Sequence, residues 1–212
     1  MTPLLLTPTE ARVIASLTEK SIATPQYYPM TVNAIMLASN QKSCRDPVMQ
    51  LREGEVGAAL LDLAEKGLAS RDDAGGRVPK WRQSFQHHLL LQPPALAVLV
   101  TLMLRGPQTQ SELRSNAAAL GAPADAEGVA RVLSDLADRA QPLVVLLPRA
   151  TGQKEARNAH TLCGPPEAPA EPAAAPTPAR APSALAELEE RVRALEARVA
   201  ALEGIREIGT DS

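Results

Sequence analysis

The chain has 212 residues, 45% of them hydrophobic and 22% charged, with a net charge of −2. Aromatics contribute only 2%, so a core is expected to be built from Leu, Val, Ile and Ala. Two cysteines, Cys44 and Cys163, exclude a disulfide framework, and no apolar run approaches the roughly 18 residues of a membrane span. The first residues lack a basic stretch followed by a long apolar one, so no secretory leader is expected. The expectation is a helix-rich cytoplasmic protein.

In chain order, Thr7-Pro8-Thr9-Glu10 reads as a capping box with Pro at the first helical position, ahead of a face of Val13, Ile14 and Leu17. A second helix is predicted from Thr31, with Val32, Ile35 and Met36 inward. A third runs from Glu53, burying Val56, Leu60, Leu63 and Ala64, and Gly67 suits its C′ position. Residues 68–71 and 78–85, joined by the turn Asp73-Ala74-Gly75-Gly76, then read as a hairpin. The order repeats. Pro93 to Arg105 is a helix, Thr109-Gln110-Ser111-Glu112 is another capping box, and Asp125 caps a helix with Val129, Val132, Leu133 and Leu136 inward. Residues 143–147 and 156–162 form the second hairpin, about the turn Thr151-Gly152-Gln153.

The repetition is also visible residue by residue. Leu6, Pro8, Val13, Ile14, Leu17 and Lys20 match Leu91, Pro93, Val98, Leu99, Leu102 and Arg105 at a constant offset of 85. Further on, Leu60-Leu61-Asp62-Leu63-Ala64-Glu65-Lys66 matches Leu133-Ser134-Asp135-Leu136-Ala137-Asp138-Arg139 at an offset of 73. The first copy thus holds about 12 extra residues between its outer helices. Three helices followed by a hairpin, twice, predict an α+β, mostly α chain of two tandem winged-helix domains, 1–85 and 86–164.

Beyond residue 164 the composition changes. Residues 165–183 carry seven prolines among alanines, a semi-rigid spacer reaching at most roughly 60 Å. Residues 184–204 carry Leu185, Leu188, Val192, Leu195, Val199 and Leu202 in alternating steps of 3 and 4, the seam of a coiled coil. Arg191 and Arg198 at g face Glu196 and Glu203 at e′ in a parallel pair, and Val at a with Leu at d favours two strands. A homodimer is expected, with 205–212 as a flexible end; the other reading is an amphipathic helix that docks on the body.

Tyr28-Pro29-Met30-Thr31-Val32-Asn33, followed by Asn40-Gln41-Lys42-Ser43-Cys44-Arg45-Asp46-Pro47-Val48-Met49, resembles the YceH family of bacterial proteins, a domain of unknown function. Leu104-Arg105-Gly106-Pro107-Gln108-Thr109, Glu112-Leu113-Arg114 and the closing Glu155 to Leu162 are similar to that family too, so the likeness spans about residues 5–164. It implies a tandem winged-helix fold with a coiled-coil tail, and no established activity. The chain departs from the pattern at Arg52, where a small hydroxylated cap is expected, so the third helix is expected to open weakly.

Nucleic-acid binding is the default use of a winged helix, with helix three in the major groove and the wing on phosphates. Arg71, Arg77, Lys80 and Arg82 surround the first turn, with Trp81 between them, and Arg149, Lys154 and Arg157 the second. Lys42 and Arg45 in the 40–49 loop complete the candidates for duplex DNA. The charge balance opposes this reading. Residues 1–85 carry 10 Lys/Arg against 9 Asp/Glu, residues 86–164 carry 7 against 6, and the remainder 5 against 9. Glu53, Glu55, Asp62 and Glu65 would make the first helix three repel phosphate, so the wings and the loop are the better candidates. The alternative function is a protein–protein adaptor of the ScpB-like tandem winged-helix type, without base recognition.

Two readings of the 40–49 loop stand side by side. Its polar side chains suit phosphate, carbonyls or a carboxylate partner; alternatively Asn33 and Asn40 brace the insertion while Val48 and Met49 fill the core. Tyr27-Tyr28-Pro29 reads as packing, not as a stacking platform. No phosphate-binding, nucleophile-elbow or zinc-protease motif occurs in the sequence, so no enzyme, cofactor or metal is expected. His87-His88 reads as solvated, and His160 with Cys163 has no second ligand pair. Cys44 beside Lys42 and Arg45 reads as an incidental thiol ahead of a redox-sensitive one.

Overall fold

The computed structural model describes residues 4–72, 78–149 and 152–166. Leu185, Leu188, Val192, Leu195, Val199 and Leu202, the spacer from residue 167 onward, and Arg77 lie outside the described residues.

The helix starts follow from their caps. The Thr7 hydroxyl accepts from Glu10 N at 3.2 Å while Glu10 Oε2 accepts from Thr7 N at 2.7 Å, and α1 runs Pro8–Ala23. Thr31 caps α2, Val32–Ser39, after a short 3-10 turn and the two-residue strand β1, Met30–Thr31. α3, Glu53–Glu65, opens behind Arg52. An arginine has no acceptor for the helix N–H groups, so only the return half of a capping box forms: Glu55 Oε2 accepts from Arg52 N at 2.7 Å and the guanidinium lies on the same carboxylate. The helix ends at Gly67, whose φ of 71° is the left-handed C′ conformation that disfavours a Cβ.

β2, Ala69–Asp72, and β3, Lys80–Gln83, pair antiparallel with Arg71 opposite Trp81, and β1 adds to the other side of β3 with Met30 opposite Trp81. The second strand is shorter than its expected 78–85. Ser84 N donates to Leu68 O, and the fully buried Phe85 starts a short helix, α4, Phe85–His88.

The second half repeats the order: α5, Pro93–Arg105; α6, Gln110–Asn116, capped by Thr109; α7, Ala126–Ala137, capped by Asp125; β4, Val144–Leu146; and β5, Asn158–His160. Pro8 and Pro93 open equivalent helices, as do Glu53 and Ala126, at the sequence offsets of 85 and 73. Gln108, just before α6, forms a single bridge to Asn158 where the first half has the whole of β1. The described structure is thus α+β, about half of it helical, with two small sheets.

All described residues fall in one unit with a continuous hydrophobic core. α1 lies along α5, so Val13, Ile14 and Leu17 share that core with Leu99 and Leu102. Backbone bonds tie the halves further: Leu6 N to Leu162 O at 2.7 Å, and Asp46 N to Leu104 O at 2.8 Å. The extra residues of the first copy form the loop that reaches across to the end of α5. There Gly106 turns beside Asp46 with a φ of 69°, a conformation that side chains other than glycine's rarely adopt. No helix among the described residues is long and apolar enough to cross a membrane.

Candidate nucleic-acid interface

In the second half, a groove of about 550 Å³ opens between α6, the start of α7 and the β4–β5 hairpin. Gln110 and Arg114, one turn apart on α6, form one side; Arg149, Lys154 and Glu155 on the hairpin connection form the other. Gln110 Nε2 donates to Ala126 O and so holds α6 against the start of α7. Arg149 Nη2 donates to Gln153 O across the connection. Arg114, Arg149 and Lys154 are exposed, and none forms an ion pair among the described residues. With Glu155 as the one acidic lining residue, the groove is a net cationic surface.

Arg157 lies beside this groove and is committed elsewhere. Its Nη1 and Nη2 donate to Glu112 Oε2 and Oε1 at 2.9 and 3.0 Å, and Nη1 also to Pro107 O at 2.8 Å. Burial alone would raise the Glu112 pKa; the Thr109 N–H, Arg157 and the Thr109 hydroxyl together hold it below the ordinary carboxylate range. Arg157 therefore fixes the hairpin to the first turn of α6, and acts on the groove by positioning.

The first half places its cations differently. Lys80 is exposed at the start of β3 and Arg71 on β2. Arg82 pairs with Asp72 through Nε and Oδ2 at 2.6 Å and lies 5.7 Å from the centre of the Tyr28 ring. Trp81, between them in sequence, points into the core. Tyr28 accepts a hydrogen bond from Gln83 N, which fits its reading as packing, whereas its neighbour Tyr27 is 74% exposed.

In the 40–49 loop the side chains divide. Lys42, Ser43 and Cys44 are exposed. Arg45 is not: its guanidinium is buried, held by Glu19 in a fork and by the carbonyls of Ala38 and Cys44, so it offers nothing to a phosphate in this conformation. Asn40 exchanges two 2.8 Å bonds with the backbone of Leu51, which is the bracing role. Val48 is exposed and Met49 half-buried, so neither fills the core, and Asn33 is exposed on α2.

Arg114 is a groove residue that the sequence candidates omit. Its signal lies in the spacing, since Gln110 and Arg114 stand at i and i+4 on a helix whose buried residue is Leu113. Among the described residues no three His, Cys, Asp or Glu side chains are grouped to hold a metal.

A family model described as "Protein of unknown function, DUF480" matches residues 6–153. The chain belongs to that family. A UPF0502 protein of Geobacter sulfurreducens is 47% identical over 199 residues, covering 94% of this chain and 90% of the relative. A UPF0502 protein of Geobacter metallireducens is 47% identical over 190 residues, 90% of this chain and 86% of the relative. One from Geotalea uraniireducens is 48% identical over 192 residues, 90% and 87%. The DUF480 match takes in the first half with its 40–49 loop and the second half as far as residue 153, Arg114 and Arg149 of the groove included, and stops before Lys154 and β5.

Proposed function

We propose that this DUF480 protein is a tandem winged-helix, regulatory DNA-binding module that grips the phosphate backbone of duplex DNA in the groove of its second half. Each half runs helix, strand or bridge, helix, helix and hairpin, with capping threonines at equivalent places, which supports the winged-helix reading. The convergence of Arg114, Arg149 and Lys154 on one open groove carries the functional reading. Flexible cations without carboxylate partners suit phosphate, and they give affinity without reading sequence. The exposed face of α7 is a poor base reader: Arg131 is paired with Glu127, and Asp135 and Asp138 are exposed. The heptad from Leu185 to Leu202 supports a homodimer, which would present two such grooves to one duplex.

The test is a fluorescence-anisotropy titration with mixed-sequence duplex DNA at two salt concentrations. Micromolar binding whose logarithm falls with log salt is expected, with a slope of about 3 for one groove of three phosphate contacts and about 5 when a dimer sets both grooves on one duplex. Absence of binding at low salt would remove this reading.

A second reading, a protein adaptor of the ScpB-like kind, has its own observation. The outer face of α3 exposes Glu53, Glu55, Ala58, Leu61, Asp62 and Glu65, with Leu61 58% exposed among the acids. Such a face repels a duplex and suits a partner that is basic around an apolar contact. Both readings make the same chain a binding module.

A further inference from the structure

Two open surfaces of the chain match each other in charge, in apolar content and in shape. The first is the side of α3 that Gly54, Ala58, Leu61, Asp62 and Glu65 share at helical spacing, all five of them exposed. Asp62 and Glu65 form no ion pair among the described residues, unlike Glu55, which Arg52 occupies. At Gly54 the backbone is not left-handed and an added Cβ would meet nothing within 4 Å, so the fold itself does not require a glycine there. Glycine weakens a helix against alanine; here it leaves the backbone beside Ala58 low and open to close approach. From Ala58 to Glu65 the face is a convex ridge about 10 Å long.

The second surface is the groove between α6 and the β4–β5 hairpin. It is concave, Arg114, Arg149 and Lys154 outweigh Glu155 in its lining, and Leu146, 62% exposed, lies in its wall. Seating Leu61 beside Leu146 removes two exposed apolar side chains from water while unpaired carboxylates meet unpaired cations. The first hairpin is a poorer match, since its Arg82 is already paired with Asp72. Both surfaces are open within one copy, so the match is one between copies.

We infer that the partner of the α3 face is a second copy of this chain, with Leu61 against Leu146 and with Asp62 and Glu65 against Arg114, Arg149 and Lys154. The inference rests on the adaptor reading of that face and names its partner. A contact this small and this charged is weak between free copies, and the high local concentration inside a dimer joined by its heptad favours it. A duplex and a second copy exclude each other in the groove, so the contact regulates access to the residues proposed to bind phosphate.

The test is zero-length crosslinking of the full chain with a carbodiimide, which joins Lys154 Nζ to a carboxylate only at contact. Ordinary and nitrogen-15 chains are unfolded and refolded together, so that mass spectrometry separates links between copies, of mixed isotope, from links within one. A mixed-isotope link from Lys154 to Asp62 or Glu65 is expected, and its loss at about 1 M salt. Leu61→Gln, and separately Arg114→Glu with Arg149→Glu, keep the linking groups and are each expected to lower its yield about fivefold. These positions are exposed, so the variants are expected to fold. Absence of the link in the wild type, links confined to one isotope, or an unchanged yield in either variant would overturn the inference. The adaptor reading is then tested by itself with a basic amphipathic peptide of leucine and lysine, read at the Leu61 methyls: a saturable shift keeps the α3 face as a protein contact, and no shift removes it.

Discussion

Arg45 and Glu19 meet as a buried fork, Nη2 to Oε2 at 2.6 Å and Nη1 to Oε1 at 3.2 Å, with the arginine side chain wholly out of solvent. The loop that the first copy has and the second lacks is thereby anchored on α1, and through Asp46 on the end of α5. Removing Arg45 would leave a carboxylate and two carbonyls without their donor. Arg45→Ala is therefore expected to destabilise the fold by about 3 kcal/mol or more, against about 0.5 kcal/mol or less for Lys42→Ala at the exposed tip. Urea denaturation of both variants measures this; equal, small effects would contradict an anchoring role.

The half-buried imidazole of His160, whose Nδ1 is closed to solvent, makes a pH prediction with a definite sign. Its folded pKa, about 4, lies below the ordinary value of 6.5, so the unfolded chain binds the extra proton in between. Stability is then whole above pH 6.5 and falls as pH drops toward 4, by on the order of 1–3 kcal/mol from this group. Urea midpoints at pH 7 and pH 4.5 are expected to differ less in His160→Gln than in the wild type. An unchanged difference would show that the carboxylates alone set the acid sensitivity.

Arg52 opens α3 without an acceptor for its N–H groups. Arg52→Ser supplies one and keeps Glu55 as the return partner, so the melting temperature is expected to rise by about 2 °C. A fall would mean that the Arg52–Glu55 contact matters more than the missing cap.

The sequence is most legible where local chemistry decides. Thr7, Thr31, Thr109 and Asp125 each read as a helix start and each caps a helix, because a hydroxyl or carboxylate before an apolar-periodic run has few other uses. The offsets of 85 and 73 are enough to place the repeated helices. Long-range pairing is hidden. Nothing adjacent to Arg45 distinguishes a solvated arginine from one that meets Glu19 across 26 positions, and the same holds for Arg157 with Glu112. β1 is too short to show a period, and Val48 reads as an inside residue because it is apolar, while the loop's tie to α5 leaves it outside.

The heptad predicts oligomeric state without reference to the body. Deleting residues 184–212 is expected to convert a dimer to a monomer by sedimentation, with the helical and hairpin content of residues 4–166 retained. A dimeric truncated chain would refute the coiled-coil assignment.

The most direct test of the phosphate-binding groove is charge reversal at its own residues. The triple variant Arg114→Glu, Arg149→Glu and Lys154→Glu is titrated with duplex DNA at low salt beside the wild type, with Lys80→Glu as a comparator on the first hairpin. All of these side chains are exposed, so folding is expected to be unaffected within about 0.5 kcal/mol for each. The account predicts loss of about a hundredfold or more in affinity and of the salt slope in the triple variant, and a far smaller change for Lys80→Glu. Wild-type affinity in a folded triple variant would contradict it.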